Sequence, residues 1–221
     1  MHGKSASPSR VTQILIVDDH PIIRDGMAHL LNLQQDLHVC CAVGSAEEAL
    51  AAMDCDPDMA IVDISLPSDS GLELVKTLRR RYPDLVILVL SMHDESLFAE
   101  RALRSGANGY LMKLEATEHV MTAVREVLAG NIYVSAAMHD KLARALTAPH
   151  KKPEGRIASL SEREFEVLHL IGLGFGTREI AEKLNRSVKT VEAHQANIKE
   201  KLQIRSGKEL MRFAIQWIES Q

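Results

Sequence analysis

The chain has 221 residues with 46% apolar side chains, 30 acidic against 26 basic residues and a formal charge of −4. That length suits two domains better than one, and the apolar fraction excludes wholesale disorder. The longest apolar run, Leu85–Leu90, is too short to span a bilayer, and the polar start, Met1–Arg10, has no signal-peptide core, so a cytoplasmic protein with a loose N-terminal tail is expected.

Five apolar strand candidates alternate with helical stretches in the first 130 residues. Gln13–Val17 reads as a strand, followed by a helix over Pro21–Leu33 with Pro21 at its tolerated first position and Ile23, Met27, Leu30 and Leu31 on one face. Leu37–Val43 is a second strand and Ser45–Asp54 an Ala-rich helix. Cys40, Cys41 and Cys55 lack metal or redox spacing, and their odd number argues against a disulfide framework, so they read as small buried residues. Asp58–Asp63 reads as the third strand: its continuous apolar run, Met59–Val62, ends on a carboxylate, the pattern of a strand covered on both faces. Pro67 cannot donate to a ladder, so that strand must end before it. Helix Ser70–Tyr82, strand Leu85–Ser91, helix Asp94–Ser105 with Gly106 as its stop, strand Gly109–Met112 and helix Glu115–Leu128 complete the pattern. Alternating strands and helices predict a doubly wound, five-stranded parallel sheet of the α/β class.

In such a sheet the carboxyl ends of the strands share one edge, where chemistry is found. The first strand ends in Asp18-Asp19, the third in Asp63, the fourth in Ser91, and Lys113 follows the fifth. Singly, each has a plainer use: Asp18, Asp19 and Ser91 as helix caps, Lys113 as a surface cation, Tyr110 as core filling. Together, three carboxylates repel one another unless a cation joins them, and hard oxygen donors suit Mg²⁺. A hydroxyl and an ammonium alongside are suited to phosphoryl oxygens, with one carboxylate as nucleophile.

These residues, with Pro67 and Gly71 after Asp63, resemble the receiver domain of a two-component response regulator over Val11–Gly130. The resemblance implies that Asp63 is the phosphoacceptor and that Asp18, Asp19, Asp63 and the backbone carbonyl of Ser65 hold Mg²⁺. It also implies that Ser91 and Lys113 grip the phosphoryl group and that Tyr110 is an aromatic switch. Two positions depart from the usual pattern: Leu114 stands where many receivers have Pro, and Ser70 where Asp is common.

Ile132–Leu146 reads as a helix with Met138, Leu142, Ala145 and Leu146 on one side. Thr147–Ser159, with Pro149, Pro153, Gly155 and several charges, reads as a flexible linker, either a passive tether or a lever. Charge divides at the same place. Residues 147–221 carry 13 Lys/Arg and 10 Asp/Glu, a net of +3, which leaves −7 for the rest. A basic second part admits nucleic acid as a partner.

Four helices follow. Ser161–Glu164 is a capping box opening a helix to Leu173, with Gly174 as its stop. Thr177–Leu184 is short, Ser187 caps a helix to Leu202, and Ser206–Glu209 is a second capping box for a helix ending near Ile218. A short helix, a tight turn and a longer helix form the helix-turn-helix arrangement. On the longer helix Val191, Ile198 and Leu202 share the core face. The opposite face carries Lys189, Glu192, Ala193, Ala196 and Glu200. Small Ala193 and Ala196 admit close approach to base edges, while Gln195, Asn197, Lys199, Lys201 and Arg205 flank the face within reach of phosphates. The alternative is a protein-binding helical domain with a solvated outer face, to which Glu192 and Glu200 give weight.

Leu160-Ser161, Arg163-Glu164, Glu166-Val167-Leu168, Glu179-Ile180-Ala181, Lys189-Thr190-Val191, His194, Asn197-Ile198 and Lys201-Leu202 resemble the LuxR-type tetra-helical DNA-binding domain over Leu160–Trp217. The whole chain thereby resembles the NarL/FixJ response regulators: a receiver at 11–130, a linker helix and flexible linker at 131–159, and a helix-turn-helix domain at 160–221. The resemblance implies a non-enzymatic, phosphorylation-activated transcription regulator. Its implied partners are a sensor histidine kinase, double-stranded DNA and a second copy when phosphorylated, without a membrane. The family's base-reading positions fall on Glu192, Ala193 and Ala196, with Glu192 where many members have Lys. Rival classes are a phosphoacceptor whose helical domain binds protein, and a stand-alone phosphotransfer enzyme; the sequence carries no further catalytic constellation for the latter.

Overall fold

Strong apolar runs and well-placed caps produce the expected elements. The computed structural model describes residues 10–66, 70–147 and 157–219. The chain divides into two compact units, residues 1–146 and 147–221.

The first unit contains strands β1 (Thr12–Val17), β2 (Leu37–Val43), β3 (Met59–Asp63), β4 (Val86–Ser91) and β5 (Gly109–Met112). They form one parallel sheet in the order β2-β1-β3-β4-β5, so β3 lies at the centre. Between them run α1 (Pro21–Asn32), α2 (Ala46–Ala51), α3 (Gly71–Arg81), α4 (Glu95–Arg104) and α5 (Ala116–Leu128). Every residue of β3 is buried, as its unbroken apolar run requires. Ile14, Ile16, Ile61, Leu88 and Leu90 share one sheet face with Met27 and Leu31 of α1 and Val120, Val124 and Val127 of α5. Strand alternation turns Leu15, Val62 and Val89, all fully buried, to the other face. The helix starts follow local chemistry. Ser45 accepts from Glu48 N–H, Ser70 from Leu72 N–H and Asp94 from Ser96 N–H. Gly106 ends α4 at φ 105°, as its C′ position requires.

Three expectations are corrected. The Ser45–Asp54 helix stops at Ala51 and tightens into a 3-10 turn, Ala52–Cys55, closed by Asp56 at φ 49°. Cys41 and Cys55 are joined by a disulfide; Cys55 is exposed and Cys40 is a half-buried free thiol, so the three are not simple core filling. The segment from Ile132 does not begin as a helix. Tyr133 pairs with Gly109 as an extra bridge on β5, receiving Tyr110 N–H at 2.8 Å and donating to Asn108 at 3.1 Å. Helix α6 (Ala136–Thr147) starts only after Ser135, whose hydroxyl accepts from Met138 N–H at 3.2 Å. An unpaired β5 edge captures the Ile132–Val134 run before the helix can propagate through it. Of the linker, 148–156 lie outside the described residues, as does Pro67; Ile157–Ser159 form a 3-10 turn with Ile157 buried.

The second unit holds α7 (Glu162–Gly172), α8 (Thr177–Lys183), α9 (Val188–Leu202) and α10 (Gly207–Glu219). The Ser161/Glu164 capping box is complete. At α10 only half of the expected box forms: Ser206 caps Glu209 N–H, while the Glu209 carboxylate takes the N–H of Arg205 instead. Val191, Ile198 and Leu202 are buried as predicted, and Phe165 meets Trp217 edge to face at 5.2 Å.

Candidate functional site

Three strands and the turn after β5 deliver the predicted acidic site. The Lys113 ammonium donates to Asp63 Oδ2 at 2.8 Å and forms an ion pair with Asp18 Oδ2 at 2.6 Å, with its side chain only 3% exposed. It is therefore no surface lysine. Asp63 Oδ1 accepts Ser65 N–H at 3.1 Å, and Asp18 Oδ1 accepts His20 N–H at 2.8 Å. Arg24 reaches the Asp18 carbonyl at 2.7 Å, and the His20 ring lies 2.7 Å from Asp19. Neither aspartate caps α1, whose N-cap is His20 without a side-chain bond, and α4 is capped by Asp94 rather than Ser91.

Burial pushes the Asp63 carboxyl above the usual carboxylate range, against the pull of Lys113. Burial would lower the Lys113 ammonium, but Asp63 and Asp18 together hold it above its ordinary value. Carboxylate oxygens of Asp18, Asp19 and Asp63 and a His20 nitrogen lie within 4.8 Å of one another. Three carboxylates against one ammonium leave an excess of negative charge that a divalent cation would neutralise. The hard oxygen donors fit Mg²⁺.

The switch residues lie beside this site. Ser91 is fully buried, and its Oγ accepts His93 N–H at 3.0 Å. Tyr110 is fully buried too and donates its hydroxyl to the His93 carbonyl at 2.9 Å; burial pushes the phenol's pKa well up, so it stays protonated and a donor. His93 Nε2 lies 3.1 Å from Ser65 Oγ, and its ring stacks on Phe98. His20 and His93 are the residues that sequence reasoning missed; only their positions, beside Asp19 and two residues after Ser91, could have signalled them. Gly71 is needed for space. A Cβ there would lie 1.8 Å from the Asp63 carbonyl oxygen, and its N–H donates to Ile64 at 2.8 Å. The departure at Leu114 is accommodated by a 3-10 turn, Lys113–Glu115, which leaves Leu114 exposed.

In the second unit α9 presents Lys189, Glu192, Ala193 and Ala196 to solvent, opposite its buried stripe. Lys199 is half-buried and Arg205 exposed; Arg205 lines a shallow cavity with Lys208 and Arg212, cations the sequence reading did not single out. Gln195 bonds Thr177 of α8 at 3.3 Å. The Lys201 ammonium, on an exposed residue of α9, pairs with the buried Glu164 carboxylate at 2.6 Å and so ties α9 to α7.

Comparison with known families matches residues 14–125 to the response regulator receiver domain and residues 158–214 to the luxR family of bacterial regulatory proteins. The chain is a response regulator. It is 38% identical over 211 residues to the oxygen regulatory protein NreC of Staphylococcus carnosus, covering 92% of this chain and 96% of that one. NreC of Staphylococcus epidermidis is 37% identical over 210 residues with the same coverage. Among solved structures, RcsB of Salmonella enterica serovar Typhimurium, bound to promoter rprA in the presence of a phosphomimetic, is similar at 25% identity. That match has a TM-score of 0.58 and covers 92% of this chain and 98% of that one. A LuxR-family response regulator from Aurantimonas shares 29% identity with a TM-score of 0.57, covering 62% of this chain and 99% of that one. A receiver unit followed by a luxR-type DNA-binding unit therefore composes this response regulator, and the family is one of transcription regulators. Among its described residues no helix is long and apolar enough to cross a membrane.

The Lys201–Glu164 pair gives this response regulator a pH-sensitive tie in its second unit. Burial raises the Glu164 carboxyl, but Lys201 and the Ser161 N–H outweigh it and hold the group below its ordinary value. A lowered carboxyl stabilises the fold above its unfolded value, and that contribution is lost as pH falls through the folded one. Replacing Lys201 by Ala is expected to cost about 1–3 kcal/mol at pH 7, since it leaves a buried carboxylate without its cation. Urea unfolding of the variant at neutral and acidic pH checks this, with the difference from wild type shrinking at acidic pH.

Proposed function

We propose that Asp63 accepts a phosphoryl group from the phosphohistidine of a sensor histidine kinase and that the phosphorylated chain, as a dimer, binds double-stranded DNA through α9. The observation that carries the reading is the Asp63 carboxylate at the end of the central strand, gripped by buried Lys113 beside Asp18. A P–O bond forms to Asp63 as the P–N bond to the donor breaks, and the donor nitrogen keeps the electron pair. Lys113 then sits against the new anionic oxygens, and Ser91 Oγ is the nearby hydroxyl to hold another. Turning Ser91 toward the phosphoryl group gives up its bond from His93 N–H, which frees the loop that Tyr110 also grips. That loop and Tyr110 form the two-state element.

Asp18, Asp19, Asp63 and the Ser65 carbonyl are the residues that would hold Mg²⁺. Bound there, the ion would supply charge neutralisation for the incoming phosphoryl group. Asp19→Asn removes a charged ligand from a site with few protein donors, and a loss of at least about tenfold in Mg²⁺ affinity is expected. Titration by NMR shifts reads it directly; an unchanged affinity would make Asp19 structural.

The exposed face of α9 supports the DNA reading. Lys189, Glu192, Ala193 and Ala196 face a groove in this docking, with Lys199, Arg205, Lys208 and Arg212 toward phosphates. Lys199→Ala is expected to weaken binding to all duplexes and to flatten the salt slope by about one unit. Glu192→Ala should hold or raise non-specific affinity while losing roughly 1–3 kcal/mol of discrimination at one base pair. Binding to a selected site and to random duplex at two salt concentrations separates the outcomes. An equal loss on both duplexes for Glu192→Ala overturns this docking.

A further inference from the structure

Cys40, Cys41 and Cys55 lie outside the site described above and take no part in it. Strand β2 follows β1 in register up to Val39, opposite Ile14, and resumes at Cys41, opposite Leu15. Cys40 is the extra residue of a β-bulge. In a regular strand adjacent side chains leave by opposite faces, and a bulge relaxes that alternation. The sulfur atoms of these two neighbours and of Cys55, from the 3-10 turn after α2, gather within 4.8 Å of one another. Cys41 and Cys55 are bonded, 14 residues apart, and Cys40 is the free thiol beside them.

The donor set is sulfur alone. No histidine or carboxylate completes this cluster among the described residues. Thiolate-only sites select soft cations. Structural zinc takes four ligands, one more than this cluster provides, whereas a monovalent d¹⁰ cation is satisfied by three sulfurs.

We propose that in the reduced chain Cys40, Cys41 and Cys55 form a three-thiolate site for Cu⁺, and that the Cys41–Cys55 disulfide is the form of the site closed to metal. Opening it takes two electrons and two protons from an external dithiol, which is itself oxidised to a disulfide. Binding then makes three S–Cu bonds and releases the three thiol protons to solvent. Because three thiol protons leave as the cation enters, uptake weakens as pH falls.

The test uses the full chain, reduced with a dithiol, freed of it without oxygen, and titrated with Cu⁺ buffered by a chromogenic chelator. The expected result is one Cu⁺ per reduced chain, none per disulfide-bonded chain, and protection of all three cysteines from alkylation as read by mass. Cys40→Ser and Cys55→Ser should each weaken uptake at least tenfold. Cys40→Ser keeps both disulfide partners, so formation of the Cys41–Cys55 bond on oxidation reports independently that this variant is folded. The proposal is overturned if the reduced chain takes no Cu⁺, if the disulfide form takes as much, or if Cys40→Ser binds like wild type. Zn²⁺ held on the same three cysteines and not displaced by Cu⁺ overturns the choice of cation.

Discussion

Asp63→Asn is expected to take up essentially no phosphoryl group, a loss of at least about 100-fold in rate against wild type. The substitution keeps the shape of a side chain that is 1% exposed and leaves the Ser65 N–H an acceptor. Lys113 keeps Asp18 at 2.6 Å. What disappears is the anionic oxygen that attacks phosphorus, so the loss is chemical rather than structural. Stability supplies the control. The carboxyl of Asp63 is raised in the folded chain, chiefly by burial. A raised group favours the fold below its unfolded value, and that advantage is lost as pH rises through the folded one. Ionised Asp63 is therefore a cost at neutral pH, and the Asn variant should melt no lower than wild type in the presence of a metal chelator. Intact mass after incubation with a small acyl phosphate and Mg²⁺ gives the primary readout. A gain of one phosphoryl group equal to wild type would remove Asp63 from the role.

Gly71→Ala is expected to lower stability by about 3 kcal/mol and to slow phosphorylation with it. The added Cβ would meet the Asp63 carbonyl oxygen at 1.8 Å and its carbon at 2.8 Å, and both are backbone atoms that no rotamer change can move aside. The start of α3 must retreat, which breaks the bond from Gly71 N–H to Ile64 and shifts the end of β3 that carries Asp63. Gly26 is the matched control. It lies exposed in α1 with nothing within 4 Å of a Cβ, so Gly26→Ala should stabilise by roughly 0.5–1 kcal/mol through helix propensity. Urea unfolding of the pair reads opposite signs. If Gly71→Ala proves as stable as wild type, the close approach between α3 and β3 is not a constraint on this fold.

Much of the architecture was legible because its causes are local. An unbroken apolar run from Met59 to Val62 specifies a strand buried on both faces, and Ser161 with Glu164 specifies a helix start within one turn of chain. The period of Val191, Ile198 and Leu202 identified the buried stripe of α9, and therefore the face left to solvent. The strand-end positions of Asp18, Asp19, Asp63 and Ser91 followed from the alternation of strands and helices, since parallel strands place their carboxyl ends on one edge.

The rest depended on contacts between residues far apart in the chain, to which no local pattern responds. Lys113 and Asp63 are 50 residues apart and meet because β5 and β3 both flank β4 in register. Lys201 reads as one more exposed helix cation, yet Glu164, 37 residues earlier, claims it once α7 and α9 pack. Ile132–Val134 fits a helix by composition, and the open β5 edge takes it as a bridge. Cys40, Cys41 and Cys55 have no meaningful spacing along the chain; a bulge in β2 and a 3-10 turn after α2 bring their sulfurs together. Sequence alone thus determined the elements, their order, the edge on which the acidic residues lie and the outward face of α9, because periodicity and capping act within a few residues. Only the tertiary structure decided which charges are buried together, which cation is already paired and which backbone leaves no room for a methyl group, because desolvation and close packing are properties of the assembled sheet and helices.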